Sequence, residues 1–144
     1  MNRKKFGFRN SVGQIGKIAR DNFLEGTLRE DATAKISYKY LTGQELQACL
    51  LEKLVEETTE VCDAGDLQNL TEELADVLQV VETIRKHNNI SKKDLETVLS
   101  KKRETRGAFD KGLFIEWIEL GLNSDLCKYC LSYPNKYPQI EHKK

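Results

Sequence analysis

Apolar residues recur at helical spacing through the middle of the chain. After Thr42, the positions Leu46, Leu50, Leu54, Thr58 and Val61 form one stripe, with Leu51 alongside. Thr42 and Glu45 have the spacing of a capping box, so this helix is predicted to start there. Leu70, Leu74, Val77, Leu78, Val81 and Ile84 predict a second helix over residues 67–87, ended by Asn88 and Asn89. Ser91, with Asp94 three positions on, is an N-cap for a third helix carried by Leu95, Val98 and Leu99 and stopped at Gly107. The short connections favour antiparallel neighbours. The fold class that follows is all-α: an antiparallel helical hairpin with further helices around it.

The flanks carry weaker patterns. Phe23, Leu24 and Leu28 make a short amphipathic run, and residues 35–41 (KISYKYL) suit a short strand or an extended connection. Residues 112–120 (GLFIEWIEL) lean to helix rather than strand. Residues 124–133 predict one more short helix before Pro134 and Pro138. Without a repeat or a low-complexity linker, residues 1–144 read as a single domain, long enough for a core. Two long amphipathic helices and a short third leave apolar surface that one chain of this size does not cover, so the bundle is expected to be completed by a homodimer or higher homo-oligomer.

The stripes become chemically informative where acids interrupt them. Glu57 and Glu60 precede the predicted turn, Glu73 and Asp76 follow it, and each pair has i, i+3 spacing. Glu57 lies only about 20° around the wheel from Leu50, at the margin of the stripe. Glu73 lies within or beside the second arc, with Asp76 on the same side; Glu52 and Glu56 look solvated. Glu57 with Asp76, and Glu60 with Glu73, share a midpoint between Asp66 and Leu67, so a hairpin folded there brings four carboxylates to one height. Cations to match them are scarce on that face in the sequence. Converging carboxylates call for a hard divalent ion with oxygen ligands, Mg²⁺ with Mn²⁺ as substitute. The competing reading is an ordinary Glu-rich solvated helix surface.

Composition narrows the remaining classes. Charged residues make up 32% of the chain and cancel to a net charge of zero, which gives no global reason to expect nucleic acid or an acidic membrane as partner. No apolar run reaches membrane-helix length, and MNRKKFGFRN lacks the apolar stretch of a signal peptide, so a soluble, cytoplasmic protein is expected. Residues 1–12, with Arg3, Lys4, Lys5 and Arg9, suit a flexible basic terminus better than a nucleic-acid arm. Cys49 and Cys62 fall in helices as small buried thiols, and the lone Cys127–Cys130 CxxC lacks a zinc partner set; all four are expected reduced. His87 and His142 read as surface residues.

Glu56-Glu57-x-x-Glu60, twelve intervening residues and Glu73-x-x-Asp76 resemble the EExxE…ExxD signature of the MazG-like all-α nucleoside triphosphate pyrophosphohydrolases, a superfamily that includes phosphoribosyl-ATP pyrophosphohydrolase. Lys17-Ile18-Ala19-Arg20-Asp21 resembles the K-L-V-R-D opening of one small subgroup. Lys102-x-x-x-Arg106-Gly107-x-Phe109 resembles its K-x-x-x-R-G-G-F close. Asn22 to Leu24 in place of K-I-P, and Ala108 in place of the second glycine, depart from that subgroup without touching the acids.

The resemblance implies hydrolysis of the α–β phosphoanhydride of a nucleotide substrate to a monophosphate and pyrophosphate, with a house-cleaning role. It implies Glu57, Glu60, Glu73 and Asp76 as metal ligands, and Glu56 or one of the ligands, Glu57 among them, as the group orienting water. Lys102 and Arg106, four residues apart, are implied as phosphate contacts, with Lys101 and Arg20 as further candidates. Two alternatives remain: the dedicated phosphoribosyl-ATP enzyme of histidine biosynthesis, and a non-catalytic helical interaction module.

Overall fold

The two long stripes fold into two helices of 21 residues each, α2 (Gly43–Asp63) and α3 (Leu67–His87), which pack against each other as an antiparallel hairpin. The computed structural model describes residues 3–10 and 12–140. Met1, Asn2 and Ser11 of the basic N-terminus, and His142, lie outside them. Before the hairpin comes α1 (Phe23–Glu30); after it come α4 (Lys92–Arg106) and α5 (Asp125–Ser132). Among the described residues there is no strand, only an isolated antiparallel bridge between Arg9 and Ile15. The all-α expectation therefore holds. None of the described helices is long and apolar enough to cross a membrane.

The hairpin turn is set locally. Asp66 caps α3 by accepting a 2.8 Å hydrogen bond from the Asn69 N–H, satisfying a donor the helix leaves unpaired. At the far end, Asn89 takes φ +55 and the chain turns into α4, where Ser91 Oγ accepts from Asp94 N–H and donates to its carboxylate. Arg85 ties this corner together, donating to the Ile90 carbonyl and to Glu82. The capping box at Thr42 does not form: the Thr42 side chain makes no cap bond, and the Glu45 carboxylate pairs with the Lys39 ammonium instead. A charge-assisted partner outcompetes a neutral backbone donor there.

The packing faces differ in detail from the predicted stripes. Leu50 and Val80 are buried, each contributing roughly 1.5–3 kcal/mol. Leu46, Leu54 and Val61 on α2 and Leu70, Val77, Val81 and Ile84 on α3 are half-buried around them. Thr58, Leu74 and Leu78 are exposed, Leu78 at 68%. The α3 face therefore runs Leu70, Glu73, Val77, Val80 and Ile84, which places an acid in the contact and turns Leu74 and Leu78 outward. Leu51 and Val55 on α2 face outward as well.

The chain divides into two compact units, residues up to Lys101 and residues from Lys102 onward. In the first, residues 35–41 form a connection in no helix or strand, so the strand alternative does not hold. His87 is half-buried, its ring Nε2 3.1 Å from the Gly43 carbonyl. In the second, residues 112–120 form no helix, contrary to expectation. So short a segment needs a packing surface to hold a helix, and Leu113, Phe114, Ile115, Trp117 and Ile118 are exposed. The α5 helix forms where predicted, with Ser124 Oγ accepting from the Cys127 N–H at 3.1 Å. Tyr129 lies 5.0 Å and 5.9 Å, centroid to centroid, from Tyr133 and Tyr137. The four cysteines are free, and Cys62 is exposed rather than buried.

Candidate functional site

Glu57 is a carboxylate at a packing position. It projects from α2 one turn after Lys53 and is 3% exposed, the most enclosed charged side chain among the described residues. Its Oε1 meets the Lys53 ammonium at 2.6 Å, while its Oε2 is buried with no hydrogen-bond partner. An ionised oxygen in that condition is costly, because burial removes water and nothing replaces it.

Two triplets of acids meet at this residue. Oxygens of Glu56, Glu57 and Glu60 lie within 4.8 Å of one another, and so do oxygens of Glu57, Glu73 and Asp76. The first triplet comes from successive turns of α2. The second spans the hairpin, because the caps of the turn fix the register of α3 against α2. Glu57 is common to both. Glu60 is exposed, whereas Glu73 and Asp76 are half-buried. The Asn69 side-chain amide, one turn before Glu73, donates to Glu73 Oε1 at 2.9 Å and orients it.

Cations are not scarce here, contrary to the sequence reading. Lys53 contacts Glu56 at 2.7 Å as well as Glu57, Lys17 reaches Glu56 at 3.0 Å, and the Arg20 guanidinium pairs with Asp76. Glu56 is therefore not solvated: its side chain is only 16% exposed. Burial pushes its carboxyl up, but the hydrogen bonds and charges of Lys53 and Lys17 outweigh that and hold it below its ordinary value. Burial pushes Lys53 down, and Glu56 and Glu57 more than compensate. At Glu60, partial desolvation of the carboxyl and then the neighbouring Glu57 carboxylate raise it above the usual range. With all ionised, the five carboxylates outnumber Lys17, Arg20 and Lys53 by two charges.

A hard divalent ion fits this set. The donors are carboxylate oxygens on two rigid helices, the cluster lacks two positive charges, and the buried Glu57 Oε2 lacks a partner. Glu57 would be shared, with Glu60 on one side and Glu73 and Asp76 on the other. Lys53, Lys17 and Asn69 were not among the residues expected at the site. Lys53 was legible, since a lysine four residues before Glu57 and three before Glu56 shares their helix face. Asn69 has the same relation to Glu73; the contact of Lys17 depends on the path of the N-terminal segment.

Arg20 is thus placed on a carboxylate of the cluster. Lys102 and Arg106 lie one turn apart on the exposed last part of α4, in the second unit, and Lys101 is exposed at the end of the first.

Residues 45–107 match the family model of the MazG nucleotide pyrophosphohydrolase domain, a span that holds both acid pairs, Lys53 and nearly all of the α2–α3 hairpin. No curated protein and no solved structure matches the chain. The acid signature on its helical hairpin and the family match agree: the match over residues 45–107 is consistent with the MazG-like superfamily that the acid motif resembles.

Proposed function

We propose that this protein is a Mg²⁺-dependent nucleotide pyrophosphohydrolase that cleaves the α–β phosphoanhydride of a nucleoside triphosphate, releasing a monophosphate and pyrophosphate. The observation that carries the reading is Glu57, a buried carboxylate with one unpartnered oxygen where two acid triplets converge, inside the matched domain. Bound Mg²⁺, or Mn²⁺ in its place, supplies charge neutralisation for the triphosphate and acidifies water.

The chain's own residues do the rest. Glu57, Glu60, Glu73 and Asp76 provide the oxygens, on helices rigid enough to fix their spacing. Glu56, kept ionised by Lys53, accepts a hydrogen bond from the attacking water and orients it. Lys102 and Arg106 bind phosphate oxygens, a point charge beside a planar two-point donor, with Lys101 assisting. The decisive experiment is a pyrophosphate-release screen across ribo- and deoxynucleotides, with Mg²⁺ and with chelator. Release that is unaffected by the chelator, or no release from any nucleotide, overturns the proposal.

Arg106→Ala is expected to lose a charge-assisted phosphate contact worth roughly 1.5–3 kcal/mol. Departing pyrophosphate needs charge stabilisation late, so kcat should carry most of the loss, with metal affinity of the free protein unchanged. Arg106→Lys should recover only part. Unaltered steady-state kinetics in Arg106→Ala would reduce this helix end to a solvated terminus complementing its own dipole.

We also propose that the chain works as a homodimer or larger homo-oligomer. The outward Leu51, Val55, Leu74 and Leu78 of the hairpin are exposed apolar positions on both helices, which supports completion of the bundle by a second copy. Light scattering at micromolar concentration should give at least twice the chain mass of 16.5 kDa; a monomeric mass would contradict it.

A further inference from the structure

The segment before α1 crosses the acid cluster with two cations, and its construction is that of a detachable strap. Upstream it is anchored. The Asn10 amide donates to Glu52 of α2 at 3.0 Å, Gly16 N–H donates to the Phe8 carbonyl at 2.6 Å, and Phe8 meets Phe23 edge-on at 5.5 Å. Gly13 and Gly16, at φ +81 and +112, allow the reversal that aims the chain back over the hairpin.

Residues 17–20 then run in no helix or strand from one helix of the hairpin to the other. Lys17 sets its ammonium on Glu56 of α2, and Arg20 sets its guanidinium on Asp76 of α3. The two side chains remain 34% and 63% exposed, so each ion pair is weak and exchangeable.

Resting on the metal-dependent reading above, we propose that Lys17 and Arg20 are transferable counter-cations. In the free protein they partly neutralise Glu56 and Asp76; a divalent ion held by Asp76 and its neighbours displaces Arg20 directly and, by adding positive charge beside Glu56, loosens Lys17, and both turn to the phosphate oxygens of the incoming triphosphate. The charge count favours this exchange. Asp76 cannot present its charge fully to both a guanidinium and a divalent ion, and a triphosphate brings about four negative charges that need new partners. Segment 17–20 is thus both a competitor of the bare metal and a clamp on the metal–substrate pair.

The two roles predict opposite signs, which a merely structural strap would not produce. In the full chain, Lys17→Gln/Arg20→Gln should bind Mn²⁺ alone about three- to tenfold more tightly by calorimetry, the size expected from losing two competing exposed ion pairs. The same variant should bind inorganic tripolyphosphate in the presence of Mn²⁺ at least about tenfold more weakly, for loss of two charge-assisted contacts.

Limited trypsin treatment of the unaltered protein gives a second readout. Cleavage after Lys17 and Arg20 should accelerate with Mn²⁺ alone and slow again with Mn²⁺ and tripolyphosphate. Unchanged or weaker Mn²⁺ binding by the variant, or cleavage indifferent to both additions, overturns the proposal and leaves the metal reading standing. An unaltered protein that binds no Mn²⁺ at all overturns both.

Discussion

Glu57→Gln is expected to reduce metal-dependent hydrolysis by at least about 100-fold, and Asp76→Asn by a similar factor. Substitutions that only disturb the partners of a metal ligand already cost about 10–100-fold, and these remove a ligand charge itself. Glu57 should show the larger loss, because its oxygens belong to both acid triplets, whereas Asp76 belongs to one. The fold should survive. The amide that replaces the Glu57 carboxylate can retain an acceptor for Lys53, and its neutral head relieves repulsion with Glu60, Glu73 and Asp76. Metal-free stability should therefore change by no more than about 1 kcal/mol. The measurement is hydrolysis at saturating Mg²⁺ beside thermal unfolding in chelator. Full activity in either variant would remove its residue from the metal set; lost activity accompanied by collapse of the melting transition would mean that the acid is structural.

The helices were legible in the sequence because their information is local. Periodicity placed α3 at its observed bounds, and Asn88–Asn89, Ser91 and Gly107 marked the next turns through capping chemistry that needs no distant partner. The acid pairs were legible for the same reason, since i, i+3 spacing on a helix is enough to align them. What failed depended on the rest of the molecule. Leu74 and Leu78 belong to an apolar stripe by period, yet α3 is rotated to present Val80 and Glu73 to α2, and only the partner helix decides that rotation. Residues 112–120 have the composition of a packed element, but their large apolar side chains stay exposed and no helix is induced. Lys17 and Arg20 were visible as a motif, while their position on Glu56 and Asp76 depends on a glycine-hinged path that no periodicity encodes.

Lys53 is where structural and catalytic demands meet, and removing it should cause the largest loss of stability. Its ammonium lies 2.6 Å from Glu57 and 2.7 Å from Glu56, with the side chain 20% exposed. Lys53→Met keeps most of the aliphatic stem but leaves Glu57 buried with neither oxygen matched to a charge. Breaking a buried pair from one side costs about 3–5 kcal/mol. Residual solvent access at Lys53 lowers the expectation to about 2–4 kcal/mol, a drop in Tm of roughly 5–12 °C for a chain this size. That holds in chelator. With millimolar Mg²⁺ or Mn²⁺ the deficit should shrink, because a divalent ion replaces the missing charge and no longer competes with an ammonium for Glu57. Stabilisation grows as the logarithm of ion concentration over Kd, reaching about 2.7 kcal/mol at one hundred times Kd. The variant should therefore gain more from the ion than the unaltered protein does. Lys86→Met is the control: its ammonium is 67% exposed and 3.5 Å from Glu82, so its melting temperature should barely move under either condition. A Lys53→Met deficit that stays the same size at saturating divalent ion would show that the ammonium and the ion do not share a site. The carboxylates around Glu57 would then be held for packing by Lys53 rather than for a metal.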